Sequence, residues 1–195
     1  MTGQAVILYG PPTSGKDTAT TALTRQDERY ALLRKLKYGT GRSTGYRPVS
    51  RAELDDLRGA GRLVVETQRY GNVYAVDRNN ITILIEEGRI PIVHMGNVAD
   101  LERLRASAPL DWMSVLLWIP RGVCAERSPH RGDVDTPKRL QAWDETYRDV
   151  QAAADRPVFD LVIRTDRAGP AEVARQITEA VATATRQPAA IPGLG

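Results

Sequence analysis

A single cysteine, Cys124, in 195 residues excludes a disulfide framework and a cysteine-based zinc site. The two histidines, His94 and His130, lie too far apart in the chain to make a recognisable metal site. No apolar run is long enough to span a bilayer, and the short run near the start has no charged segment before it. A cytoplasmic protein with no membrane partner is therefore expected. Blocks of like charge are missing, and a formal charge of +3 is mild, so the pI of about 9.2 does not by itself argue for nucleic acid. Trp112, Trp118 and Trp143 sit on apolar stretches and read as core, without the basic–aromatic interleaving of a nucleic-acid surface. There is no internal repeat. What remains is an apolar fraction of 42% and a charged fraction of 26%, enough for one core. The expectation is one domain over 1–185 and a frayed tail over 186–195, acting as a monomer or homodimer.

The organising stretch is Gly10-Pro11-Pro12-Thr13-Ser14-Gly15-Lys16-Asp17-Thr18. It follows Ala5-Val6-Ile7-Leu8-Tyr9, which reads as a buried parallel strand, and precedes a helix expected to run to about Arg25. Strand, glycine-rich loop, lysine and helix form the setting of a phosphate-binding loop. Backbone N–H groups and the helix N-terminus would converge on a polyphosphate, with Lys16 reaching its outer phosphates. All nine residues are expected to bind ATP. The pattern asks for Ser or Thr after the lysine; Asp17 stands there, so Asp17 is expected to hold Mg²⁺ directly or through water. A plain Gly-Pro turn after a buried strand is the alternative.

Downstream, strands and helices alternate. Strands are expected at Tyr30–Lys37 (as one strand, or a strand entering a basic loop), Arg62–Thr67, Val73–Val76, Ile90–Met95, Trp112–Ile119 and Phe159–Ile163. Tyr38 to Tyr46 reads as a loop, and Gly71-Asn72 as the turn of a hairpin. Helices are expected at Ser50–Ala60, with Ser50 and Glu53 as a capping box, and at Asn80–Glu87, stopped by Gly88. Further helices are expected at Asn97–Ala106, at Arg121–Arg127 interrupted by Ser128-Pro129, at Asp135–Asp155 and at Ala171–Thr185. The pattern predicts an α/β fold: a parallel central sheet with helices on both faces, in the three-layer manner of a P-loop NTPase. Ligands in such sheets sit beyond the carboxyl ends of the strands, where the loop after Tyr9 and Gly96-Asn97 both fall.

The region from about 38 to 76 breaks the alternation and is the natural place for a second substrate. It carries Arg42, Tyr46, Glu66 and Tyr74, donors and a polar group suited to a phosphorylated acceptor. Packing tyrosines and a strand-end glutamate are the plain alternative. Arg127, Arg131 and Arg139 fall in a Pro- and Gly-interrupted segment, about 126–139, that reads as a lid bringing guanidinium groups over phosphates. Ordinary surface arginines are the alternative there. Within its apolar strand, His94 reads as a hydrogen-bonded core residue.

These motifs together resemble the guanylate kinase family of P-loop nucleoside monophosphate kinases, over roughly Gln4 to Val181. Tyr46-Arg-Pro-Val-Ser50, Leu63-Val-Val-Glu66 and Gly71-Asn-Val-Tyr74 look like that family's acceptor segments. The resemblance implies that Arg42, Tyr46 and Tyr74 bind the acceptor phosphate and that Glu66 reads a guanine-like base. It implies Lys16, Arg127, Arg131 and Arg139 as catalytic cations, with ATP and Mg²⁺ as cofactors. Asp17 departs from the family's Ser or Thr, and Val93-His94-Met95-Gly96-Asn97 lacks its aspartate. Gly-Lys-Asp-Thr and the Gly-Asn pair look more like the ribose 1,5-bisphosphokinases, which puts Asn97 in the acceptor site. Two enzymatic functions are thus expected, a kinase for a GMP-like nucleoside monophosphate or one for a sugar phosphate. A non-catalytic binding module of the same fold stands as the third reading.

Overall fold

In the computed structural model the described residues are 3–41, 43–69, 71–130 and 136–184. Arg42, Arg131 and the tail expected over 186–195 lie outside them, as does part of the expected lid.

The main sheet has five strands in the order β2-β7-β1-β8-β9, formed by Tyr30–Leu32, Ile90–His94, Gln4–Tyr9, Asp111–Trp118 and Leu161–Arg164. All four pairings are parallel. Strands buried on both faces must be apolar on both, and β1 is: Ala5, Ile7 and Tyr9 enter one core and Val6 and Leu8 the other. The first core is closed by helices α4 (Val98–Ser107) and α6 (Thr136–Ala152). The second is closed by α1 (Lys16–Gln26) and α7 (Pro170–Thr183). This is the α/β arrangement expected, with α1 starting where β1 ends.

A second sheet of four strands has the order β4-β3-β6-β5, from Tyr46–Pro48, Lys35–Tyr38, Asn72–Asp77 and Leu63–Arg69. Its outer face packs on α2 (Arg51–Gly59), where Leu36, Ala75, Leu54 and Leu57 form a separate small core. Its inner face turns toward α4, and Val65 and Val76 there join the first main core. Ser50 caps α2 as expected, its hydroxyl accepting from Glu53 N at 3.1 Å. Gly71, at φ 72, makes the β5–β6 turn, a backbone state open to glycine at little cost.

Three expectations are corrected. The strand expected over Tyr30–Lys37 is two strands in two sheets. Leu33 N still bonds Ile92 O at 2.9 Å, and the chain then crosses so that Leu36 can bury beneath α2. The loop expected over 38–46 ends in a strand, β4, which runs parallel to β3. Ser128-Pro129 does not interrupt α5, which runs Arg121–His130. Cys124 and Ser128, one turn apart, are both fully buried and hold its inner side, and Pro129, the last residue but one, removes a single N–H bond to the carbonyl four residues back.

Candidate functional site

At the carboxyl end of β1 the chain reverses over its own backbone. Gly10 has φ 151, and a Cβ on it would come within 2.2 Å of Leu117 O on the neighbouring strand. Only glycine fits. Gly15 has φ 89 and opens α1, with no atom within 4 Å of where a Cβ would stand, so its backbone faces open space. Lys16 folds over the loop, its Nζ donating to Gly10 O at 2.7 Å and Pro11 O at 3.0 Å. The loop is clamped from outside: Thr165 Oγ1 donates to Ser14 O at 2.8 Å, and Arg127 donates to Thr13 O at 3.3 Å and Thr165 O at 2.9 Å. Thr13 Oγ1 is buried without a hydrogen-bond partner among the described residues. A cavity of about 550 Å³ opens beside the loop, lined by Thr13, Gly15, Thr18, Arg127, Asp166 and Gly169 among others. An orphaned hydroxyl, an open glycine cradle and a lysine within one turn suit a polyphosphate.

For Mg²⁺ the carboxylate that directly follows Lys16 is Asp17. The Asp17 side chain is 73% exposed, with Oδ1 3.7 Å from His94 Nδ1. No group of three or more His, Cys, Asp or Glu able to hold a metal occurs among the described residues. The donors fit a cation brought in on phosphate oxygens and water, with Asp17 as a single protein contact. His94 ends β7 next to the loop, its Nε2 2.8 Å from Thr20 Oγ1. That hydroxyl donates to Lys16 O at 3.0 Å, and the other ring nitrogen, Nδ1, faces the Asp17 carboxylate. Burial, then the charge of Lys16, lowers the His94 pKa to about 4, so the ring is neutral at physiological pH.

The second half of the site is set by register. In β5–β6, Thr67 stands opposite Tyr74, and Glu66 opposite Ala75. In β3, Lys37 stands opposite Tyr74, and Lys35 beside Tyr46 in β4. Because side chains alternate, Lys35, Lys37, Tyr46, Thr67, Arg69 and Tyr74 share the inner face. The rings of Tyr46 and Tyr74 lie 5.1 Å apart. Lys37, 5% exposed, donates to Thr40 O at 2.6 Å. Arg69 Nη2 meets Glu145 of α6 at 3.0 Å, and Nη1 lies 3.2 Å from where a Cβ on Gly96 would be. Burial lowers the Lys35 pKa to about 8; Asp100 partly offsets this and Arg69 adds to it.

Two expected acceptor residues are engaged by other parts of the protein. Glu66 is on the outer face, opposite in direction to Tyr74, and accepts from Nη2 and Nε of Arg58 on α2 at 2.8 and 3.0 Å. A β-bulge between Leu63 and Val65 precedes this stretch, and any one-residue shift in register inverts facing. Asn97 is the N-cap of α4: its Oδ1 accepts from Asp100 N at 2.7 Å and its Nδ2 donates to Asp100 Oδ2 at 2.6 Å. That capping duty engages both ends of the amide. Among the lid residues, Arg127 reaches the loop, whereas Arg139 is exposed in the first turn of α6.

Lys35, Arg69, Asp100 and Asp149 were missed in the sequence. Asp100 is buried and accepts from Thr67, Asn97 and Arg103. Asp149 on α6 accepts from Tyr9 Oη at 2.5 Å and Val98 N at 2.8 Å, tying α6 to the end of β1 and the first residue of α4. One signal was available: in Lys35-Leu36-Lys37 the buried leucine forces both lysines to the other side, once the strand is known to begin there.

No family model matches this chain, and no curated protein does. Among solved structures the chain is similar to guanylate kinase from Anaplasma phagocytophilum, with a TM-score of 0.66 and 18% identity over 99% of this chain and 92% of that one. It is similar to a gluconokinase from Sinorhizobium meliloti 1021, with a TM-score of 0.55 and 17% identity over 93% of each chain. It is also similar to shikimate kinase from Acinetobacter baumannii, solved with shikimate, with a TM-score of 0.51 and 14% identity over 95% of this chain and 96% of that one. At such identities the likeness is one of fold: the five-stranded parallel sheet with a small separate sheet that P-loop kinases share.

Proposed function

We propose that this protein is an ATP-dependent kinase that moves the γ-phosphoryl group onto a small phosphorylated acceptor. The carrying observation is the loop built by Gly10, Gly15 and Lys16, with Arg127 bonded to its backbone at 3.3 Å. The loop and α1 would bind the triphosphate, the cavity beside Asp166 would take the rest of the nucleotide, and Lys16 and Arg127 would neutralise charge on the moving group. Asp17 would hold Mg²⁺, which when bound draws charge from the phosphate oxygens. Arg131 and Arg139 would add cations from the lid segment of 126–139, and Arg42 would join Tyr46 and Tyr74 on the acceptor within the 38–76 insertion. In transfer, an acceptor phosphate oxygen bonds to the γ-phosphorus, the bond to ADP breaks, and ADP leaves with the electron pair. An anionic oxygen has no proton to lose. That suits a site whose nearby carboxylates Asp100 and Asp149 are already engaged in hydrogen bonds, whereas an alcohol acceptor would ask for a free base.

A GMP-like nucleoside monophosphate is the acceptor the motifs suggest. The ion pair of Glu66 with Arg58, on the face away from Tyr74, favours the second reading, a sugar phosphate such as ribose 1,5-bisphosphate, because it withdraws the group expected to read guanine. An ADP-release screen over nucleoside monophosphates and sugar phosphates tests both. Turnover with either class supports the kinase reading and selects the acceptor; turnover with none overturns it in favour of a non-catalytic module.

A further inference from the structure

Lys35 opens β3 directly after the chain crosses from one sheet to the other, so it stands where the two halves of the site meet. Leu36, fully buried against α2, fixes the direction of its neighbour: Lys35 projects from the inner face, in register with Tyr46. Asp100 and Arg69 face it from α4 and β5, and its charge bears on His94 at the end of β7, beside the phosphate loop. Among the described residues no hydrogen bond or close ion pair reaches its ammonium, whereas Lys37, two residues on, is bonded to Thr40 O. Lysines are held in partly dehydrated places at a cost, and folds tolerate that where an anion completes the site.

We propose that Lys35 is a binding residue for an anionic oxygen of the acceptor, receiving it between the phosphate loop and the Tyr46–Tyr74 pair. This rests on the kinase reading above only in naming the anion an acceptor group. The ligand class it takes is a tetrahedral dianion: a phosphate monoester on whatever carrier the acceptor has. A phosphate there would lie between Lys35 and the two tyrosine rings, turned toward Lys16. The neighbouring Asp100, which favours the charged lysine, is engaged by Thr67, Asn97 and Arg103, and so leaves the ammonium open to an incoming anion.

The depressed proton affinity gives this role a signature. A lysine with a pKa of about 8 loses its charge within the ordinary working range, so anion affinity at this point falls as pH rises from 7 to 9. Sulfate is the suitable probe, because its own charge is constant over that range. The experiment is calorimetric titration of the full chain with sulfate in saturating Mg·ADP, which fills the phosphate loop, at pH 7 and pH 9. The wild type is expected to bind sulfate about tenfold more weakly at pH 9. Lys35→Met is expected to bind it at least tenfold more weakly than wild type at pH 7, with no pH dependence and with ADP affinity within about twofold. Lys35→Arg keeps a cation that does not titrate, and is expected to hold affinity at both pH values. That variant separates Lys35 from Lys37, Arg69, Tyr46 and Tyr74, which share its face and are unchanged in it. Sulfate affinity and pH profile in Lys35→Met equal to wild type overturn the proposal, as does a wild type that binds ADP but no second anion. Loss of ADP binding in the wild type itself instead overturns the kinase reading.

Discussion

The glycine loop after β1 and the inner face of the small sheet are specified by different means. In the loop the shape is set by backbone: a φ of 151 at Gly10, a φ of 89 at Gly15, and carbonyls that gather Lys16. In the small sheet the surface is set by side chains, and which of them face inward depends on strand register. A loop is specified by the residues within it, since only glycine tolerates those angles and that clearance. A sheet face is specified by pairing partners far along the chain, and a slip of one residue exchanges its inner and outer sets. The two halves therefore differ in how much a local reading can say about them.

The sharpest way to break this comparison is at the loop. Lys16→Ala is expected to lower kcat/KM by about 10²-fold or more, the scale of a lost transition-state charge contact. Steady-state ADP release measures it, and turnover equal to wild type would reject Lys16. Gly10→Ala is expected to destabilise the fold by about 2–3 kcal/mol, because a Cβ placed 2.2 Å from Leu117 O must push one strand from another. Gly15→Ala, in open space, should cost only about 1 kcal/mol through its backbone angle. Urea melts that rank the two alike would remove the claim that Gly10 is a packing constraint.

At the small sheet the effects are smaller and of a different kind. Lys35 has a folded pKa of about 8 against 10.5 for the free side chain, so between those values the unfolded chain binds more protons. Stability therefore rises with pH through that window, and below about pH 8 the full cost of the buried charge is present. Lys35→Met should accordingly be more stable than wild type at pH 7, by about 1–2 kcal/mol, with the gap closing toward pH 10.5. Thermal melts across pH that show the gap widening would count against the burial of this charge. Tyr74→Phe is expected to raise the acceptor KM about fivefold to tenfold with kcat nearly unchanged, the scale of one hydrogen bond to an anion. Glu66→Gln is the smallest: removal of a largely exposed pair with Arg58 should cost under about 1 kcal/mol and leave the acceptor KM alone. An acceptor KM that rises in Glu66→Gln but not in Tyr74→Phe would invert the two faces as described.

Much of the central sheet was legible because its strands are short apolar runs bounded by breakers. Ala5–Tyr9, Ile90–His94 and Trp112–Trp118 are apolar on both sides, as a covered parallel strand must be. Gly88, at φ 69, stops α3 (Arg78–Glu86) where its position suggested. The loop from Gly10 to Lys16 was likewise readable from its own residues. The break between β2 and β3 was not, because Leu33 and Arg34 carry no turn signal and the crossing is made to bury Leu36 elsewhere. For the same reason Lys35 was overlooked. Glu66 and Asn97 were assigned to the acceptor by order along the chain, and tertiary partners claim both: Arg58 across the outer face, and the first turn of α4.

Sequence by itself determined the layered α/β plan and the glycine loop after β1, since the pattern that marks each element and the angles of that loop are settled within about ten neighbouring residues. Only the tertiary structure decided which charges look into the space beside that loop. Facing in a sheet is a property of register, and register is set by distant partners and a bulge. Thus Lys35 and Tyr74 stand together on one side, with Glu66 turned to the other.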